Sequence, residues 1–235
     1  MDLNKSAGND IVALKVTDQS RAGAPAFYSK ILSVSERALY DGQVIGEMSF
    51  VTFVWLLWSV KESVFKYLKR HDTHLVFYPS KIVVRRLDRL PAETFDKAGI
   101  FEWGEGGGRI AGDGEVLYGG LVVYGSARLY FRSRLRAEWV AAVVCETENF
   151  EHTWWGVRSI GEVAYAAQSS SVRAFVMQKL YSLFSGDDLR MIKDAAGCPV
   201  VSDEDRKIRI PVSLAHHDRF VAYSFSLPPG KKLGI

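Results

Sequence analysis

Residues 50–60, Phe-Val-Thr-Phe-Val-Trp-Leu-Leu-Trp-Ser-Val, form a nearly unbroken apolar run that turns polar at Lys61-Glu62. A run of this kind reads as a buried helix, predicted from about Gly46 to Arg70. With 3.6 residues per turn, Glu62 and Lys66 share one face and Lys61 lies beside them. Lys69 and Arg70 close the helix where cations suit its dipole. Upstream, Asn9 to Val16 reads as a short strand and Thr17 to Pro25 as a polar loop. Phe27 to Leu32 is a short apolar element. Ser33-Val34-Ser35-Glu36 matches a capping box and starts a helix through about Tyr40, broken by Asp41-Gly42.

The middle of the chain has a different period. Lys81 to Leu87, Glu115 to Val123, Ala127 to Leu135 and Ala137 to Cys145 read as strands. Gly125-Ser126 is a two-residue loop of the tight-hairpin type. Leu129, Phe131 and Leu135 alternate with Arg128, Arg132, Arg134 and Arg136, which predicts a half-buried antiparallel sheet with a basic outer face. From Ser169 the helical period returns, with Val172 to Phe184 stopped by Gly186. Leu189 to Lys193, Pro199 to Val201, Ile208 to Leu214 and Phe220 to Leu227 follow as strands. Pro228 to Ile235 reads as a frayed end. The pattern is therefore α+β, with helices packed on antiparallel sheet.

Composition narrows the function classes. At 235 residues, one large domain and two fused lobes are both possible. A hydrophobic share of 48% supplies an ample core. The net charge of +3 permits an anionic substrate or an acidic partner without suggesting a nucleic-acid-binding tail. Cys145 and Cys198 lack metal-ligand or redox spacing and read as buried thiols in a reducing compartment. Met-Asp-Leu-Asn-Lys shows no signal-peptide pattern, and Met48 to Val60 is too short to span a bilayer. The expectation is a cytoplasmic protein.

A carboxylate and two ammonium groups at the end of a buried helix can hold a metal ion and a phosphorylated ligand. The same residues also suit a solvated i,i+4 pair, which contributes only ~0.2–0.5 kcal/mol. Asp10 alone could be a turn residue, and His217 reads as a solvated loop-tip histidine. His71 and His74, three apart, lack further ligands nearby and read as surface. Ser213 reads as a maker of local hydrogen bonds, with no base-and-orienter pair to activate it. The glycine-rich stretch Gly104 to Gly114 lacks the ending of a P-loop and precedes strands, so it reads as a hairpin connection.

Four segments, in order, carry a family resemblance. Gly8-Asn9-Asp10-Ile11-Val12 resembles the Gly-x-Asp-Ile-Val signature of 4′-phosphopantetheinyl transferases of the holo-acyl-carrier-protein synthase type. Phe27-Tyr28-Ser29-Lys30-Ile31-Leu32-Ser33 with Glu36 is similar to that family's next block. Trp58-Ser59-x-Lys61-Glu62-Ser63-x-x-Lys66 resembles its Trp-x-x-Lys-Glu-x-x-x-Lys motif. Pro211-Val212-Ser213-Leu214-Ala215-His216-His217 is similar to its closing Ser-Leu-Ser-His strand, with Ala215 replacing the second serine. Val12 stands where the longer, two-lobed enzymes place another acidic ligand. The resemblance covers the first seventy-odd and the last fifty or so residues.

The resemblance implies Mg²⁺-dependent transfer of the phosphopantetheine arm of coenzyme A to a serine of an apo acyl or peptidyl carrier protein, releasing 3′,5′-ADP. It implies Asp10 and Glu62 as metal ligands, Glu62 and Lys66 as catalytic groups, and Lys61, Lys66 and His216 as contacts to coenzyme A. It further implies two pseudo-equivalent lobes in a monomer: residues 1–80 with the metal motifs and 165–227 with the histidine strand. Residues 81–164 would then be an inserted β-rich region. Two rivals stand beside it. One is a non-catalytic relative that binds a carrier protein or nucleotide; the other is a nucleic-acid-binding protein using the arginine face of Arg128 to Arg136.

Overall fold

The computed structural model describes residues 6–41, 48–91, 100–103, 114–184, 188–205 and 207–227. The expected break after Asp41, most of the glycine-rich loop, the stop at Gly186 and the frayed end lie outside these residues, as does the expected start of the long helix at Gly46. The chain begins with β1 (Gly8–Ala13), a single 3-10 turn, α1 (Gln19–Ala22), α2 (Pro25–Tyr28) and α3 (Val34–Asp41). Two short helices thus occupy ground that reads as loop and as an undefined apolar element. The capping box forms as expected. Ser33 N–H donates to Glu36 Oε2 at 2.7 Å, and Glu36 N–H donates to Ser33 Oγ at 3.2 Å.

The long helix is α4 (Phe50–Lys69), capped by Ser49, whose hydroxyl accepts from Thr52 N–H. Its apolar face, including Phe53, Leu56, Leu57, Val60 and Val64, is buried against the first sheet. That sheet contains β2 (Val83–Arg89), β4 (Val116–Tyr124), β5 (Ala127–Leu135) and β6 (Trp139–Cys145), in the order β1-β6-β5-β4-β2, all antiparallel. The β4–β5 hairpin turns at Gly125, whose φ of +56° suits glycine.

A second sheet comprises β3 (Ile100–Trp103), β7 (Thr153–Ser159), β8 (Arg190–Lys193), β9 (Pro199–Asp203), β10 (Ile208–His217) and β11 (Phe220–Ser226). Its order is β3-β7-β11-β10-β9-β8, antiparallel except for the parallel edge β3–β7. Helix α5 (Tyr165–Leu183) covers it through Val172, Phe175, Val176 and Leu180. Apart from β3, the two sheets repeat one succession: a strand, a long helix and four further strands. In each, the last strand lies beside the first.

Residues 81–164 are built into both sheets: β2, β4, β5 and β6 complete the sheet that β1 opens, and β7 belongs to the other. Sheet pairing joins residues far apart in sequence, so a local reading had no access to it.

The sheets meet along β1, which lies across β10 and β11. An apolar cluster including Ile11, Trp139, Val143, Trp155, Ala215 and Ala222 fills this seam. Two side chains of β10 reach the backbone of β1. Ser213 Oγ accepts from Asn9 N–H at 3.1 Å, and His217 Nδ1 accepts from Ala13 N–H at 3.3 Å. Ala215 faces the seam between them, and its single methyl keeps the space narrow.

Arg132, Arg134 and Arg136, along and just after β5, do not form an open basic face. Arg134 and Arg136 pair with Glu115 at 2.9 and 3.1 Å, and Arg132 donates to the Glu148 carbonyl and lies over the Phe150 ring. Among the described residues, no helix is long and apolar enough to cross a membrane.

Candidate functional site

Asp10 sits mid-strand in β1, opposite Ala142 of β6. The strand alternates, so Asn9 and Ile11 face the seam between the sheets while Gly8, Asp10 and Val12 face α4. Gly8 makes this approach possible: a Cβ there would lie 2.1 Å from the Ser63 carbonyl oxygen. Ser63 Oγ donates to the Ala142 carbonyl at 3.2 Å, fixing α4 on β6 at the same level.

Helix and strand therefore converge where Glu62 and Lys66 project. Lys66 Nζ lies 2.8 Å from Asp10 Oδ1. Burial raises the Glu62 carboxyl above its usual range, the Asp10 charge raises it further, and Lys66 partly reverses the shift. Two carboxylates within mutual electrostatic reach, with one lysine acting on both, make an acidic pair that a further cation would relieve.

The second sheet brings His216 to the same place. Burial lowers its pKa, the charges of Lys66 and His217 lower it further, and Asp10 acts in the opposite sense. His216 also packs edge-on against Tyr165, with ring centroids 5.3 Å apart. Four of the five residues singled out from the sequence thus belong to one electrostatic neighbourhood: Asp10, Glu62, Lys66 and His216.

Lys61 does not, which corrects its expected contact to coenzyme A. Its side chain is 0% exposed. The ammonium donates to Glu36 Oε2 at 2.8 Å, to the Ile31 carbonyl at 2.6 Å and to the Pro79 carbonyl at 3.0 Å. Its three protons are taken, leaving none for a phosphate. Glu36 completes the knot by accepting from the N–H groups of Ser33 and Val84. Lys61 thereby ties α4 to α3 and β2 and sets the rotation of the helix that presents Glu62.

Three neighbouring residues escaped the sequence reading as site residues. Arg70 donates to the carbonyls of Pro199 and Val212, so the end of α4 is anchored to the second sheet. Tyr67, one turn from Ser63, donates to Glu146; burial first, and then this hydrogen bond, push its hydroxyl pKa up. Tyr165 stands at the start of α5. Arg70 carries a legible charge, but its partners, the Pro199 and Val212 carbonyls and the Asp194 carboxylate, lie more than a hundred residues away.

Residues 6–103 match the family model of the 4′-phosphopantetheinyl transferase superfamily. The match spans β1 to β3 and contains Asp10, Glu62 and Lys66, whereas His216 lies beyond it. No curated protein matches the chain. The similarity to this transferase superfamily thus extends over residues 6–103 of the 235.

Proposed function

We propose that this protein transfers the 4′-phosphopantetheine arm of coenzyme A to a serine hydroxyl of an apo acyl or peptidyl carrier protein, releasing 3′,5′-ADP. The observation that carries the reading is the ion pair of Asp10 and Lys66 beside Glu62, inside the segment matched to the superfamily. In the proposed reaction the serine oxygen attacks the phosphorus that bears the pantetheine arm. The bond from that phosphorus to the bridging oxygen breaks, and the electron pair leaves with 3′,5′-ADP. The serine proton passes to Glu62 or to water.

The donor set fits Mg²⁺: two hard carboxylates whose charges oppose one another, with the remaining positions open to phosphate oxygens and water. Asp10 and Glu62 would hold the ion, which supplies neutralisation of pyrophosphate charge. Lys66 balances Asp10 and reaches a phosphate oxygen of the leaving group. His216, kept neutral by its surroundings, donates a hydrogen bond to the nucleotide's 3′-phosphate. The repeated strand–helix–strand succession supports a reading as two pseudo-equivalent lobes within one chain. The proposed protein acts as a cytoplasmic monomer, and a trimeric mass in solution would overturn that part.

The test is the intact mass of an apo acyl carrier protein after incubation with the protein, coenzyme A and Mg²⁺. A gain of one phosphopantetheine arm, abolished by EDTA, is expected. No gain, together with no coenzyme A binding by calorimetry, would replace the transferase with a non-catalytic relative.

A further inference from the structure

Tyr165 is a large aromatic side chain that is 75% exposed, on a helix turn that is held in place. It opens α5, and the first turn of that helix is pinned to the β10–β11 hairpin. Gln168, itself only 8% exposed, donates from Nε2 to the Asp218 carbonyl at 2.7 Å. Just before the helix, Ile160 N–H donates to the Arg219 carbonyl at 2.8 Å. The hairpin that carries His216 and the helix turn that carries Tyr165 are therefore one local unit. Within it the Tyr165 ring stands nearly perpendicular to His216, at 78° and 5.3 Å. A T-shaped contact uses the edge of one ring and leaves aromatic surface open.

We propose that Tyr165 is a specificity-determining residue that stacks on the purine base of the nucleotide. The inference rests on the transferase reading, in which His216 takes the 3′-phosphate of coenzyme A. That phosphate and the base are carried by the same ribose. An aromatic ring in contact with the phosphate-binding histidine is thus within reach of the base. The pantetheine arm leaves from the far end of the pyrophosphate, away from this ribose. Stacking needs a rigid, exposed ring, and tyrosine, with two side-chain torsions, loses little freedom in providing one.

Calorimetry on the full chain with coenzyme A, 3′,5′-ADP and 4′-phosphopantetheine tests the assignment. Tyr165→Ala should weaken coenzyme A and 3′,5′-ADP by a common factor on the order of tenfold. Binding of 4′-phosphopantetheine, which lacks the base, should stay at the wild-type value, and Tyr165→Phe should restore the other two. Unchanged coenzyme A binding in Tyr165→Ala overturns this inference alone, as does an equal loss for 4′-phosphopantetheine. An increase in KM for the carrier protein with coenzyme A affinity intact would make Tyr165 a protein-docking residue and also overturns it. A wild-type chain that binds none of the three ligands overturns the transferase reading and this inference together.

Discussion

Asp10 and Lys66, 56 residues apart in the chain, meet with Oδ1 and Nζ separated by 2.8 Å. The pair links the middle of β1 to the last turns of α4 and places Glu62 beside two opposite charges. Asp10→Asn and Glu62→Gln keep side-chain shape and remove one negative charge each. Both variants should fold with unchanged far-UV circular dichroism and lose transfer by about 10²–10³-fold. Transfer by both at the wild-type rate would remove the metal assignment.

Glu62 also has a cost in the metal-free protein. Its carboxyl titrates above the ordinary carboxylate range, with burial the main cause and the Asp10 charge the second. The folded chain thus holds that proton more tightly than the unfolded chain. Stability falls as pH rises from about 4.5 through the raised folded value, and the deficit is complete at neutral pH if the group is then ionised. In EDTA at pH 7, Glu62→Gln should therefore melt above wild type, with the difference closing towards pH 4. Thermal denaturation at both pH values measures this, and a lower Tm for the variant at pH 7 would contradict the electrostatics.

The Lys61–Glu36 pair is completely enclosed, with both side chains at 0% exposure. Lys61→Met leaves a carboxylate in the core without its cation, at a cost of about 3–5 kcal/mol. The double variant Lys61→Met/Glu36→Gln removes the stranded charge and should lose substantially less than the sum of the two single losses. Urea denaturation of all four proteins completes the cycle. Additive losses would mean that the two groups act separately.

Gly8→Ala tests how closely helix and strand must approach. The new methyl would meet a backbone oxygen of α4, which has no rotamer by which to yield. The expected destabilisation is about 1–3 kcal/mol. Withdrawal of α4 also carries Glu62 and Lys66 away from Asp10, so transfer should fall at temperatures where the variant remains folded. Full activity in a destabilised Gly8→Ala protein would show that the site tolerates a wider separation.

Several elements were legible because their determinants are local. The capping box at Ser33 to Glu36, the apolar run of α4 and the Gly125-Ser126 hairpin each depend on residues within a few positions of one another. Strand β7 escaped because Thr-Trp-Trp-Gly-Val-Arg-Ser has no clean alternation and a glycine at its centre. The first turn of α5, Tyr165 to Gln168, was missed because its alanines and glutamine show little helical apolar period. At the site, Glu62 and Lys66 were readable as neighbours on a helix. Lys61 was not readable as buried, because the groups that enclose it, Ile31, Glu36 and Pro79, lie 18 to 30 residues away.

The seam hydrogen bonds of Ser213 and His217 have a further consequence for β1, which ends its sheet on the side away from β6. A bare terminal strand is a template on which an extended segment of another molecule can add. Here the outward N–H groups of Asn9 and Ala13 are occupied by a hydroxyl and an imidazole from a crossing strand. The strand that bears Asp10 is closed to such addition, so self-association by strand pairing has to begin elsewhere on the molecule.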